Sequence, residues 1–181
     1  MALHYSEYYE LIEKAAQAST KKRKTLEISW HNTGDYVIGN DAEGNPIQMP
    51  DIVLSNLGDE NRPDTADPSK TVSCDPDLLM TLSDNFAAEL AGAGMPVTST
   101  VNYGFSGGYE TQRYSSDRNP RDFRGKHSLQ ALQVEYNTKL THNNETLEEI
   151  PGRLVLIKGS FERALIKTLD DGEMRKLGWC A

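Results

Sequence analysis

A glycine-rich segment in the middle of the chain carries the residue types best suited to chemistry. Residues 102–109 have the sequence NYGFSGGY, and Arg113 and Tyr114 follow shortly after. The adjacent Gly107 and Gly108 allow the backbone to turn tightly or to approach a ligand where a Cβ would collide. An arginine close to such a turn can pair with a carboxylate through two hydrogen bonds. The segment therefore predicts one wall of a site for an anionic small molecule, the alternative being a solvated loop laced with ion pairs.

A candidate acid or base follows this segment. Glu135 lies in the apolar run 129–136, where Leu132 and Val134 alternate with Gln133 and Glu135. This period of two predicts a strand with the polar pair on one face. A buried carboxylate facing a metal-bound water would act as a general base. The alternative is a glutamate that faces solvent from an edge strand.

A candidate metal ligand comes much earlier in the chain. Residues 26–30 alternate as a short strand, and His31 follows at its carboxyl end, before a polar turn. A neutral imidazole on a rigid strand end is a common zinc ligand. The alternative for His31 is a hydrogen-bonded turn residue.

The elements that must position these residues alternate between helix and strand. The patterns predict helices over 4–19, from 75 to about 91 and from 151 onward, and strands over 26–30, 52–54, 96–101 and 129–136. Residues 40–50 and 56–73 are predicted to be loops. Such alternation predicts an α/β domain whose sheet is covered on both faces. Sites in these sheets form beyond the carboxyl ends of the strands, where His31, the loop from Asn102 and Glu135 are expected to converge.

Composition limits the class of protein. The 181 residues include 19 basic and 27 acidic side chains, a net charge of −8, which disfavours binding to nucleic acid or to an anionic membrane. Cys74 and Cys180 are too few for a disulfide framework or a thiolate metal site. The sequence shows no apolar run of membrane-spanning length and no signal peptide. We predict a single cytoplasmic domain over residues 1–181.

The spacing of the candidate residues resembles the N-formylglutamate amidohydrolase family. The matching residues are Asn102-x-x-Phe105-x-Gly107-Gly108-Tyr109, then Thr111 and Tyr114, then Leu132-Gln133-x-Glu135. The helix with Tyr5 and Tyr8, the strand leading to His31 and the strand over 50–54 follow in the same order as in that family's second half. The resemblance covers a core over about residues 4–140, and a C-terminal helical extension occupies about residues 144–179.

The resemblance implies a fold and a reaction. The fold is a three-layer α/β/α domain with a mixed, largely parallel sheet, similar to the zinc-carboxypeptidase-like hydrolases. The reaction is hydrolysis of the formyl or acyl amide of an acidic amino acid such as N-formylglutamate, with zinc as the cofactor. His31 would bind the zinc, and Glu135 would be the catalytic carboxylate. The substrate-binding residues implied are Asn102, Gly107, Gly108, Arg113 and Tyr114.

The chain departs from the family's pattern at its N-terminus. The family begins with a strand and a His-Ser/Thr-Gly turn that supplies the first metal ligand, and here His4 is the only upstream histidine, on a predicted helix. The expected fold is therefore N-terminally truncated. Two alternatives to an active hydrolase stay open: an inactive relative that binds a small acidic ligand, and a subunit-interaction module. In the latter, a second copy or a partner chain would complete the sheet edge.

Overall fold

The computed structural model describes residues 25–66, 72–108, 111–112 and 129–176. The predicted helix over 4–19 lies outside these ranges, as do Arg113 and Tyr114. None of the helices in the described ranges is long and apolar enough to cross a bilayer.

A four-stranded sheet organises the described residues. The strands along the chain are β1 (Thr25–Thr33), β2 (Val37–Asn40), β3 (Pro46–Gln48), β4 (Ile52–Ser55), β5 (Ser99–Val101) and β6 (Leu129–Asn137). The sheet has the order β1-β6-β4-β5. β1 pairs with β6 and β4 with β5 in parallel, whereas β4 and β6 run antiparallel. The predicted mixed, largely parallel sheet is thus confirmed.

The segment predicted as a loop over 40–50 contains part of a hairpin instead. β2 and β3 pair antiparallel across a turn built on Asp41. The Asp41 carboxylate accepts hydrogen bonds from the backbone N–H groups of Glu43 and Asn45 and from the Asn45 side chain. Gly44 adopts a left-handed φ of 85°. A side chain that bonds to its own turn stabilises a hairpin between strands too short to show an apolar pattern.

Two long helices begin at residues that favour helix starts. α1 (Pro76–Gly92) has proline in its first turn, and the Asp75 carboxylate caps it by accepting from the Asp77 N–H at 3.1 Å. Both ends agree with the prediction. α2 (Arg153–Leu169) begins two residues after Pro151, because Gly152 at its N-cap adopts a left-handed φ of 79°. A short α3 (Gly172–Lys176) and a 3-10 turn (Thr138–Leu140) complete the helices of the described residues.

Both long helices pack on one face of the sheet. Leu54 and Val134 of the sheet share a buried core with Leu82 of α1 and Ile157 and Ala164 of α2. α2, part of the segment predicted as a C-terminal extension, therefore contributes to the main core. The predicted three-layer arrangement also needs a helix on the other face of the sheet, which stays a prediction because residues 1–24 lie outside the described ranges.

Three aromatic rings form the centre of this core. Phe161 contacts Trp30 and Phe86 edge to face, with ring centroids 4.8 Å and 5.2 Å apart. Trp30 comes from β1, Phe86 from α1 and Phe161 from α2, so the cluster joins the edge of the sheet to both helices. Such pairs stabilise a core beyond the area that they bury.

We expect Phe86→Ala to lower the free energy of unfolding by about 3–5 kcal/mol, because a fully buried ring is replaced by a cavity. Val155→Ala on α2 is the control, since Val155 is 76% exposed and its loss should change stability by less than about 0.5 kcal/mol. Urea denaturation followed by circular dichroism measures both. Equal midpoints for the two variants would contradict the assignment of Phe86 to the core.

Candidate functional site

The face of the sheet opposite α1 and α2 is polar. In β1 and β6, every second side chain points to this face. The parallel register sets Ser29 opposite Gln133 and His31 opposite Glu135. β4 adds Ser55, which lies opposite Gln133. The two residues predicted for metal binding and catalysis are therefore neighbours across one strand pair.

Glu135 is a buried carboxylate and not the solvent-facing glutamate of the alternative interpretation. It is 4% exposed, and its Oε1 accepts a hydrogen bond from Gln133 Nε2 at 2.5 Å. Burial raises the pKa of Glu135, and the Gln133 hydrogen bond and the electrostatic influence of His31 only partly oppose this. A carboxyl with a raised pKa can take up and release a proton closer to neutral pH, as a general base or acid must.

His31 is exposed to solvent, whereas Glu135 is buried. It lies at the carboxyl end of β1, exposed to solvent, and acts electrostatically on Glu135 across the strand pair. A ligand at this position is thus accessible from solvent. Cys74 has no comparable access, because it is fully buried and burial strongly raises the pKa of its thiol.

The described residues do not provide a complete metal site. A catalytic zinc takes three protein ligands. Within 25–66, 72–108, 111–112 and 129–176, no group of three His, Cys, Asp or Glu side chains is arranged to hold a metal ion. His31 and Glu135 are the two candidates that the polar face brings together.

The two glycines of the 102–108 segment are required by close contacts. Gly107 has a φ of 136°, and a Cβ there would collide with the side chain of Thr111 and lie 3.0 Å from Leu57. A Cβ on Gly108 would lie 2.6 Å from Gln133 Oε1. The group that approaches Gly108 is the Gln133 side chain, and the predicted approach of these glycines to a ligand stays a prediction.

The 102–108 segment reaches Gln133 by a route that the sequence did not predict. β4 and β5 run antiparallel to β6, so Asn102 does not follow a strand that ends at the same edge as β1 and β6. The segment turns over the polar face instead. The Phe105 carbonyl accepts from Ser55 Oγ at 2.8 Å, and the Ser106 carbonyl accepts from the Leu57 N–H at 2.6 Å. Residues 102–108 therefore meet the β1–β6 residues because the loop folds back over the sheet.

Asn102, the first residue of this loop, holds it in place through its side-chain hydrogen bonds. It is buried, with a φ of 51°, and its Oδ1 accepts from the Asn56 N–H at 3.0 Å. Its Nδ2 donates to Asn56 Oδ1 at 2.9 Å and to the Arg62 carbonyl at 2.6 Å. A Cβ on Gly58 would lie 2.6 Å from that same Nδ2. These contacts give Asn102 a supporting position, and its contact with a substrate stays a prediction.

Sequence reasoning gave no role to two residues that the structure brings into the site. Gln133 carries the hydrogen bond to Glu135, and the alternation within β6 already set both on one face. Asn56 carries the pair with Asn102, which is 46 residues away in the chain, and no local pattern indicates it. Arg113 and Tyr114, predicted to bind substrate, lie outside the described residues.

Comparison with known proteins identifies a similar fold. The chain is similar to the crystal structure of an N-formylglutamate amidohydrolase from Ralstonia eutropha JMP134, with a TM-score of 0.57 and 18% sequence identity. The match covers 97% of this chain and 51% of that enzyme, so the chain spans about half the enzyme's length. No family model matches the sequence, and no curated protein does. The structural likeness supports the resemblance found in the residues, and at this identity it shows a shared fold.

We expect Glu135→Gln to be more stable than the wild type above the folded-state pKa of Glu135. An unfolded glutamate titrates near 4.5, and burial raises the folded value, so wild-type stability falls as the pH rises between the two. Glutamine keeps an oxygen for Gln133 and removes the charge. Thermal unfolding across this pH range, with a chelator present, measures the difference.

The advantage of Glu135→Gln should shrink as the pH falls from the folded-state pKa towards 4.5, and it should stay constant at lower pH, where both states of the wild type are protonated. Glu145→Gln, at an exposed loop position, is the control for loss of a carboxylate. A stability difference between Glu135→Gln and the wild type that does not vary with pH would contradict the raised pKa.

Proposed function

We propose that this protein is a hydrolase that cleaves a linear amide, with Glu135 as the general base. The observation that carries the proposal is the buried Glu135 carboxylate, held by Gln133 and set beside His31 on one strand pair. The similarity of the fold to an N-formylglutamate amidohydrolase supports the same reaction class.

The chemistry of Glu135 follows from its position. Its carboxylate would take a proton from the water that attacks the amide carbonyl and return it to the leaving nitrogen. Both transfers require a group whose pKa lies close to the working pH, which burial favours here. Gln133 would orient the carboxylate through the bond to Oε1, leaving Oε2 for the water.

The substrate class follows from the resemblance. An N-formyl or N-acyl derivative of an acidic amino acid such as N-formylglutamate carries a carboxylate that a bidentate arginine can bind. We propose Arg113 for this role, with Tyr114, Asn102 and the turn at Gly107 and Gly108 as further substrate contacts. An acidic protein of net charge −8 would need such a local cation to bind an anionic substrate.

Zinc is the cofactor that the resemblance proposes, with His31 as a ligand. The described residues alone do not fit a catalytic zinc, because no three-ligand group is present among them. Further ligands would have to come from residues outside the described ranges or from another chain. The proton transfers assigned to Glu135 do not depend on which of these applies.

A second candidate function is a catalytically inactive relative that binds a small acidic ligand. The observation behind it is that the polar side chains of β1 and β6 are retained, whereas no three-ligand metal group occurs in the described part of the chain. The retained polar face would then serve for recognition without turnover.

A partner chain or a second copy is also proposed at the β1 edge. β1 is an outer strand of the described sheet, and an outer strand offers unpaired backbone groups to a further strand. Light scattering over a range of concentrations tests the second copy, and a monomer at the highest concentration would contradict dimerisation across this edge.

We expect the wild type to release formate from N-formylglutamate and Glu135→Gln to lose about 10²–10⁴-fold in kcat, the contribution of a general base. Glutamine preserves size and the bond from Gln133, so the variant should fold. Formate release coupled to formate dehydrogenase measures the rate. Activity of Glu135→Gln equal to that of the wild type would contradict the assigned base, and ligand binding without turnover would favour the inactive relative.

We expect stoichiometric zinc in the purified protein and its loss in His31→Ala, because one ligand of three is removed. His142→Ala is the matched control, since His142 lies in the turn after the 3-10 segment and bonds to Thr141. Elemental analysis by mass spectrometry measures both variants. Zinc retained in His31→Ala, or absent from the wild type, would contradict His31 as a ligand.

A further inference from the structure

Gln133 lies between the candidate base and the glycine turn. It is 1% exposed, and its amide group has two different neighbours. Nε2 donates to Glu135 Oε1 at 2.5 Å, and Oε1 faces Gly108, where a Cβ would come within 2.6 Å of it. The amide therefore fills the space between a carboxylate and a backbone that has no side chain.

The hydrogen bond determines which way the Gln133 amide points. A carboxylate oxygen is an acceptor, so only the NH2 end of the amide can face Glu135 favourably. The opposite orientation would set two acceptors against each other in a buried site. The Gln133 amide is thereby constrained on both sides. The Glu135 carboxylate fixes its NH2 group by a hydrogen bond, and the close Gly108 backbone limits the space around its oxygen.

The wall behind Gly108 resists displacement. Leu57 has a left-handed φ of 70°, a costly conformation for a bulky residue, and its N–H donates to the Ser106 carbonyl. A Cβ on Gly107 would lie 3.0 Å from the Leu57 side chain. Asn56 accepts from the Gly58 N–H at 3.1 Å and so holds the loop that carries Leu57. Gly108 thus presents a fixed surface to Gln133.

We propose that Gln133 is a positioning residue that orients the Glu135 carboxylate for proton transfer, and that the Gly107–Gly108 turn holds Gln133 in place. The catalytic part of this statement rests on the proposed hydrolase function. Gln133 affects the reaction by fixing the orientation of the Glu135 carboxylate. The two glycines affect it by fixing the position of Gln133.

The chain offers a matched control on the same strand. Gln130 is also 1% exposed, but it lies on the opposite face of β6, where its Oε1 accepts from the Asp75 N–H at 2.7 Å. Gln130→Met and Gln133→Met each remove a buried glutamine amide from β6. Gly108→Ala adds a Cβ against Gln133, whereas Gly92→Ala at the end of α1 meets nothing within 4 Å.

The first measurement is the hydrolysis of N-formylglutamate. Gln133→Met should lower kcat by about 10- to 100-fold, the effect of a misplaced catalytic group, with KM changed far less. Gly108→Ala should lower kcat by a similar factor and should also raise KM, because the turn is a proposed substrate contact. Gln130→Met and Gly92→Ala should keep the wild-type kcat. A wild-type kcat in Gln133→Met would overturn the proposal, as would an equal loss in Gln130→Met.

The second measurement does not need activity. In a double-variant cycle on unfolding, Gln133→Met and Glu135→Met should together destabilise less than the sum of the single changes, because each alone leaves a buried partner unsatisfied. Gln130→Met with Glu135→Met should be additive across the two faces of the sheet. Additive behaviour of the Gln133 pair would overturn the proposal. If the wild type hydrolyses nothing but the pair is coupled, the hydrolase function fails and the positioning of Glu135 by Gln133 stands.

Discussion

The parallel pairing of β1 with β6 is the constraint on which the rest of the site depends. Side chains alternate along a strand, so a slip of one residue would send His31 and Glu135 to opposite faces. The register is held from the other side of the sheet, where Trp30 lies opposite Val134 and packs against Phe161. The aromatic core and the polar site are therefore two consequences of one strand pairing.

A network of buried side-chain amides supports the loop over residues 102–108. Asn56 and Asn102 bond to each other, and Asn56 also donates to the carbonyls of Pro63 and Cys74. Amides buried in this way need partners, because an unsatisfied one costs about 1–3 kcal/mol. The left-handed backbone at Asn102 and Leu57 persists inside that network. These two residues lie in the segments after β4 and β5 that hold the turn packed against Gln133, and strained backbone of this kind is common at functional sites.

The chain shares its fold with an amidohydrolase, and its described residues hold no group of three metal ligands. The fold covers nearly all of the chain but about half of the similar enzyme. Glu135 is buried and its pKa is raised by that burial, whereas His31 beside it is exposed to solvent.

Local sequence patterns predicted the elements that are stabilised by residues close to them in the chain. α1 begins and ends where Asp75, Pro76 and Gly94 indicated, because caps and left-handed glycines act within a few residues. The β2–β3 hairpin was missed, since the side-chain bonds of Asp41 stabilise it without an apolar pattern. The start of α2 was misplaced by two residues for a similar reason, the left-handed backbone at Gly152.

The sequence by itself determined the chemical character of the site: a glutamate and a glutamine on one face of a strand, a histidine at a strand end and two glycines that permit close contact. The tertiary structure decided which of these meet. Strand direction is not encoded locally, so the antiparallel β4 and the return of residues 102–108 over the polar face could not be foreseen. The contact of Gly108 with Gln133, 25 positions apart in the printed sequence, forms because the sheet and the buried amides bring them together.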